Sequence, residues 1–105
     1  MSVRVPEKLA ARRAEISRLC EQLGVRRLEL FGSASTGAGA NARDFDFLVD
    51  LGDLAPRAYA EAYFRLRESL EMLLQIPVDL VTPANLENPY FRERVEQEKT
   101  LLYAA

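Results

Sequence analysis

Three aspartates interrupt stretches that are otherwise apolar, and through them this chain could do chemistry. Asp44 and Asp46 stand two apart in the run Asp44-Phe45-Asp46-Phe47-Leu48-Val49-Asp50-Leu51. In an extended strand, residues two apart leave the same face. Both carboxylates therefore project together, and Phe45, Phe47, Val49 and Leu51 form the opposite face. Asp79 sits inside Pro77-Val78-Asp79-Leu80-Val81, where a buried strand favours another aliphatic side chain. An ionised carboxylate in such a place is costly unless a cation compensates it. Converging carboxylates suit hard cations. Mg2+ takes oxygen ligands, keeps several waters, and is commonly held by one or two carboxylates together with substrate phosphates. Gly32-Ser33 follows directly on an apolar strand pattern. Glycine admits a close approach by a bound group, and a helical turn starting at Ser33 would aim free N–H groups at an anion. A phosphate cradle and a metal cage at neighbouring strand ends fit a metal-bound nucleoside triphosphate.

Composition narrows the alternatives. The 105 residues contain no histidine and one cysteine, Cys20. A structural zinc site, a histidine-based triad and an intramolecular disulfide are thereby set aside. Catalysis must rest on carboxylates, hydroxyls, lysine or arginine. The 14 basic and 16 acidic residues leave a net charge of −2, which argues against a surface built to coat nucleic acid. Lys8 and Lys99 are the only lysines, and arginine suits bidentate phosphate or carboxylate contacts. A hydrophobic fraction of 49% and a charged fraction of 29% are ordinary for a globular protein. No apolar run approaches the roughly 18 residues of a membrane span, and Met1–Arg13 lacks the apolar segment of a secretory signal. These features predict one cytoplasmic domain over residues 1–105.

The elements that must position the site follow from periodicity. Pro6–Leu23 reads as one amphipathic helix with Leu9, Ile16, Leu19, Cys20 and Leu23 on a common face, capped by Gly24 in a left-handed conformation. Cys20 is expected to be a buried small hydrophobe. Arg26–Phe31 reads as a strand with Leu28 and Leu30 on one face and Glu29 and Phe31 on the other. Gly32–Arg43 is a loop with room for one short helical turn, and Asp44–Leu51 is the second strand. Pro56 opens a helix to Leu74 whose stripe of Tyr59, Tyr63, Leu66, Leu70 and Leu73 reads as core or partner surface rather than a substrate pocket. Pro77–Val81 is a third strand, and Pro89 to about Glu98 is a helix that buries Phe91 and Val95. Thr100–Tyr103 adds a last short strand. The order α–β–β–α–β–α–(β) gives an α/β (α+β) fold, a small mixed sheet flanked by helices. The loop after the first strand is short for a helical crossover, so the first two strands are expected to be antiparallel neighbours.

Gly32-Ser33, ten residues, then Asp44-x-Asp46 resembles the G-S-x10-D-x-D signature of the DNA polymerase beta-like nucleotidyltransferase superfamily. Four fixed residues at backgrounds of about 5–7% each make a chance match in such a chain on the order of one in a thousand. Asp79 matches the third carboxylate of that family. The small size and the stretch from Asn88 to Tyr103 are similar to the minimal nucleotidyltransferases (MNT proteins), and the resemblance spans roughly Leu28 to Tyr103. It implies two-metal nucleotidyl transfer, with two Mg2+ ions on Asp44, Asp46 and Asp79 and with ATP as donor. Gly32 and Ser33 would hold the phosphates. Arg43 stands where relatives commonly carry serine and would offer the triphosphate a replacement cation. It further implies a protein adenylyltransferase antitoxin, which moves AMP to a tyrosine of a HEPN-domain RNase toxin and silences it. Transfer to a small molecule or a nucleic-acid end, and a non-catalytic binding antitoxin, are the alternatives.

Overall fold

The computed structural model describes residues 5–32 and 44–105. The chain forms α1 (Glu7–Ala10), α2 (Arg13–Leu23), β1 (Arg27–Phe31), β2 (Phe45–Asp50), α3 (Pro56–Leu74), β3 (Val78–Val81), a 3-10 turn (Pro83–Asn85), α4 (Pro89–Glu98) and β4 (Thr100–Ala104). The sheet order is β3-β2-β1-β4. β1 runs antiparallel to both β2 and β4, and β2 and β3 are parallel, joined through α3. The mixed sheet and the antiparallel first pair agree with expectation.

One expected helix is two. The backbone turns at Ala11 and Arg12, where Arg12 leaves the helical region at φ −113°, ψ 13°. No proline or glycine forces this break. Between Leu9 and Ile16 the sequence offers only alanine, arginine and glutamate, so no large apolar side chain anchors the middle turn. Leu9 and Ile16 are both fully buried on either side of it. Downstream, α2 ends as predicted at Gly24 (φ 75°), whose N–H donates to the carbonyls of Cys20 and Glu21.

The sheet carries two apolar layers. On one face Leu28, Leu30, Phe45, Phe47, Val49 and Leu80 pack against Ile16, Cys20, Leu66 and Leu70 of the helices. Of the α3 stripe, Leu66 and Leu70 are core while Tyr59, Tyr63 and Leu73 are half-buried at its margin, and Ala62 and Leu74 complete the buried face. Burial drives the Cys20 thiol up to about 12, which keeps it an unreactive apolar filler. On the other face a smaller cluster of Phe31, Leu48, Leu86 and Val95 seats α4, with Phe91 edge-on to Phe31 at 6.0 Å. Asn88 caps α4 by accepting from the N–H groups of Tyr90 and Phe91. The same face holds a buried acid, Glu29. Its carboxylate lies 3.3 Å from Arg27 and 3.7 Å from Lys99, so the pair neutralises a charge that burial would otherwise make costly.

Helix α3 ends in a different way from α2. Gln75 closes it in the left-handed region at φ 58°, a conformation that costs a side-chain-bearing residue about 1–2 kcal/mol. Gln75→Gly should therefore raise stability by about 0.5–1 kcal/mol, offset in part by loss of the Gln75 Nε2 bond to the Met72 carbonyl. Urea titration of the two proteins would read the difference.

Candidate active site

Backbone pairing brings the acids together. Phe31 at the end of β1 lies opposite Asp46 in β2, and Asp46 lies opposite Asp79 in β3. Gly32 follows Phe31. Three adjacent strands therefore deliver Gly32, Asp46 and Asp79 to one end of the sheet, on the face that carries α4. Asp44 stands just before β2, which starts one residue later than the sequence pattern suggests, and it is exposed.

Each position has a local cause. Asp46 alternates with the core residues Phe45 and Phe47 and is half-buried. Gly32 adopts φ 83°, and a Cβ on it would stand 2.5 Å from Asp46 Oδ2. The close group that requires glycine here is the Asp46 carboxylate. Asp79 is exposed between two buried neighbours, Val78 and Leu80. Its strand is held from outside by one stripe of α3. Tyr63 donates to the Leu80 carbonyl (2.8 Å), Arg67 donates to the Val78 carbonyl (3.3 Å), and Glu71 accepts from the Val78 N–H (2.9 Å). These side chains are spaced i, i+4 and i+8, so they line up along one helix face.

Electrostatics mark the same spot. Asp46 holds its proton above the usual carboxylate range, first through burial, then through the negative charges of Asp44 and Asp79. Glu98 adds to this and the Arg94 guanidinium opposes it. Among the described residues no three acidic, cysteine or histidine side chains are drawn in tightly enough to enclose a metal ion. Asp44 and Asp79 are both exposed, and Asp46 is half-buried. The donor set still fits a hard cation: three carboxylates of one charged neighbourhood, with glycine making room for one of them.

Ser33 and Arg43, with the helical turn expected after Ser33, lie outside the described residues. Two residues that sequence reasoning did not assign to the site reach it from α4. Glu98 Oε1 accepts from the Gly32 N–H at 3.1 Å, and Arg94 Nε lies 3.7 Å from Glu98 Oε2. The signal was present: Phe91, Arg94, Val95 and Glu98 recur at helical spacing, so the face that buries Val95 and half-buries Phe91 also carries these two charges.

Two outcomes follow. Because the folded state holds the Asp46 proton more tightly than the unfolded chain, stability falls as pH rises from the ordinary value of 3.8 through the raised one. In chelator, Asp46→Asn should melt at a higher temperature than the parent at pH 7, and the gap should shrink toward pH 4. Gly32→Ala should destabilise by about 1–2 kcal/mol from its positive φ alone, with a further loss from the Asp46 clash that the added change Asp46→Ala relieves, as a double-mutant cycle in urea would show.

Comparison with known proteins agrees with this reading. The family model described as nucleotidyltransferase domain matches residues 13–102. The chain is 36% identical over 70 residues to the protein adenylyltransferase MntA of Thermococcus cleftensis, covering 67% of this chain and 68% of that one. It is 31% identical over 80 residues to a Methanocaldococcus jannaschii protein provisionally assigned as a protein adenylyltransferase, covering 76% and 79%. A solved structure provisionally described as a minimal nucleotidyltransferase superposes with a TM-score of 0.69 at 34% identity, covering 90% of this chain and 92% of that one. A chain from the Shewanella oneidensis complex of a tri-AMPylated HEPN toxin with its MNT antitoxin shares the fold, with a TM-score of 0.61 at 20% identity and coverage of 91% and 72%. The chain thus belongs to the nucleotidyltransferase domain family as one of its minimal members, a nucleotidyltransferase enzyme.

Proposed function

We propose that this protein is a Mg2+-dependent protein adenylyltransferase of the cytoplasm, the antitoxin of a pair, which moves AMP from ATP to a tyrosine hydroxyl of a HEPN-domain toxin. The observation that carries the reading is the pairing of Asp46 with Asp79 on adjacent parallel strands, beside a glycine that leaves room for the Asp46 carboxylate. A pure docking surface gains nothing from paired acids, one of them half-buried, because like charges set opposite one another weaken a sheet. The protein acceptor draws support from the adenylyltransferase relatives and from the neighbour found with an AMPylated toxin.

In this reading Asp44, Asp46 and Asp79 would hold the magnesium ions. When bound, these supply charge neutralisation at the phosphates and a more acidic acceptor hydroxyl. Asp79 is exposed, so an acceptor arriving from another chain can reach it. The acceptor oxygen attacks the α-phosphorus in line. The bond from that phosphorus to the oxygen bridging it to the β-phosphate breaks, and pyrophosphate leaves. The hydroxyl proton passes to Asp79. Ser33 and Arg43 are assigned to the phosphates from sequence alone.

The test is a transfer assay with Mg2+, α-labelled ATP and the product of the adjacent gene. Label on a tyrosine of that partner, with pyrophosphate released, is the expected result. Asp46→Asn should reduce transfer by at least about 10³-fold, on the order of 4 kcal/mol in barrier. Tight partner binding without label from any of the four nucleotides would leave a binding antitoxin instead.

A further inference from the structure

We infer that Glu98 is a positioning residue for this site, acting through its hydrogen bond to the Gly32 backbone rather than on substrate. The inference rests on the nucleotidyl-transfer reading above and deepens it.

The geometry is specific. The two carboxylate oxygens divide their work. Oε1 accepts from the Gly32 N–H at 3.1 Å, and Oε2 faces Arg94 Nε at 3.7 Å. The Glu98 side chain is 23% exposed, against 69% for Arg94, so the acid is the sheltered member of the pair. The bond joins positions 66 residues apart. The next residue makes a second tie, an ion pair, with Lys99 Nζ 3.7 Å from the buried Glu29 carboxylate. Consecutive residues at the end of α4 therefore fasten β1 at two points, Glu29 in its middle and Gly32 just past its end.

Gly32 is where such a tie has leverage. Asp46 Oδ2 occupies the space in which a Cβ on Gly32 would lie. A shift of the Gly32 backbone thus moves the wall against which Asp46 rests. Displacements of about 1 Å in supporting structure can cost on the order of 10²-fold in rate. The charge of Glu98 works against the site, since it adds a negative group beside Asp46. Its value must then lie in reach and hydrogen bonding.

Reach and charge can be separated. Glu98→Gln keeps an oxygen at the right distance without the charge. Glu98→Asp keeps the charge and falls one methylene short. The expected result is kcat within about 3-fold of the parent for Glu98→Gln and a fall of up to about 10²-fold for Glu98→Asp, with the KM for ATP moving less than kcat. Hydrogen exchange of the Gly32 amide should track this order, protected in Glu98→Gln and released in Glu98→Asp. An active aspartate variant beside an inactive glutamine variant would overturn the proposal in favour of charge. Equal behaviour of the two, both active or both impaired, would overturn it as well. If the parent labels no acceptor, the functional reading fails on its own. The rise in melting midpoint on adding Mg2+ then replaces kcat across the same variants, and the same order is required.

Discussion

Backbone pairing holds Asp46 and Asp79 side by side against the repulsion of their own charges. Directly opposed like charges destabilise a sheet by several tenths of a kcal/mol, and half-burial of Asp46 adds to that. The rest of the molecule supplies the compensation. Phe45 and Phe47 flank Asp46 with fully buried rings, and Val78 and Leu80 do the same for Asp79 with aliphatic side chains. Each acid is thus carried by neighbours whose burial opposes strand separation. α3 then fixes the outer strand through Tyr63, Arg67 and Glu71, and α4 fixes β1 through Glu29 and Gly32. The acids sit on a platform clamped on both sides.

Much of this was legible in the sequence because it obeys simple periods. Alternation in Asp44–Leu51 separated carboxylates from core, and the structure keeps that separation. The α3 stripe, the cap at Gly24 and the inward Phe91 and Val95 were equally visible. The break at Ala11 and Arg12 was not, because a helical face can skip an anchor without leaving a breaker residue to mark it. Leu9 and Ile16 lie seven apart and read as one face whether or not the backbone is continuous between them.

The site was legible in its residues and less so in its supports. Asp46 and Asp79 could be named from their interruption of apolar strands, but their exact opposition depends on register between segments 33 positions apart in sequence. Gly32 was expected to make room for a ligand, and in the structure it makes room for Asp46. Glu98 escaped notice because a charge at the end of a helix usually faces water. Only the packing of α4 on β1 brings it to the Gly32 amide. Of the two cations beside Glu29, Arg27 is a near neighbour on the same strand, whereas Lys99 is distant in sequence and comes within 3.7 Å only where α4 leads into β4.

The clamp on β3 has a second consequence, for assembly. An outer strand normally presents alternating N–H and C=O groups to solvent, a template on which another chain can add a strand. Here the outward N–H and C=O of Val78 and the carbonyl of Leu80 are spent on α3. A protein arriving at this margin meets helix side chains rather than an open ladder. The sheet cannot readily be lengthened from that side, so strand exchange and fibre growth are disfavoured at the margin beside Asp46 and Asp79.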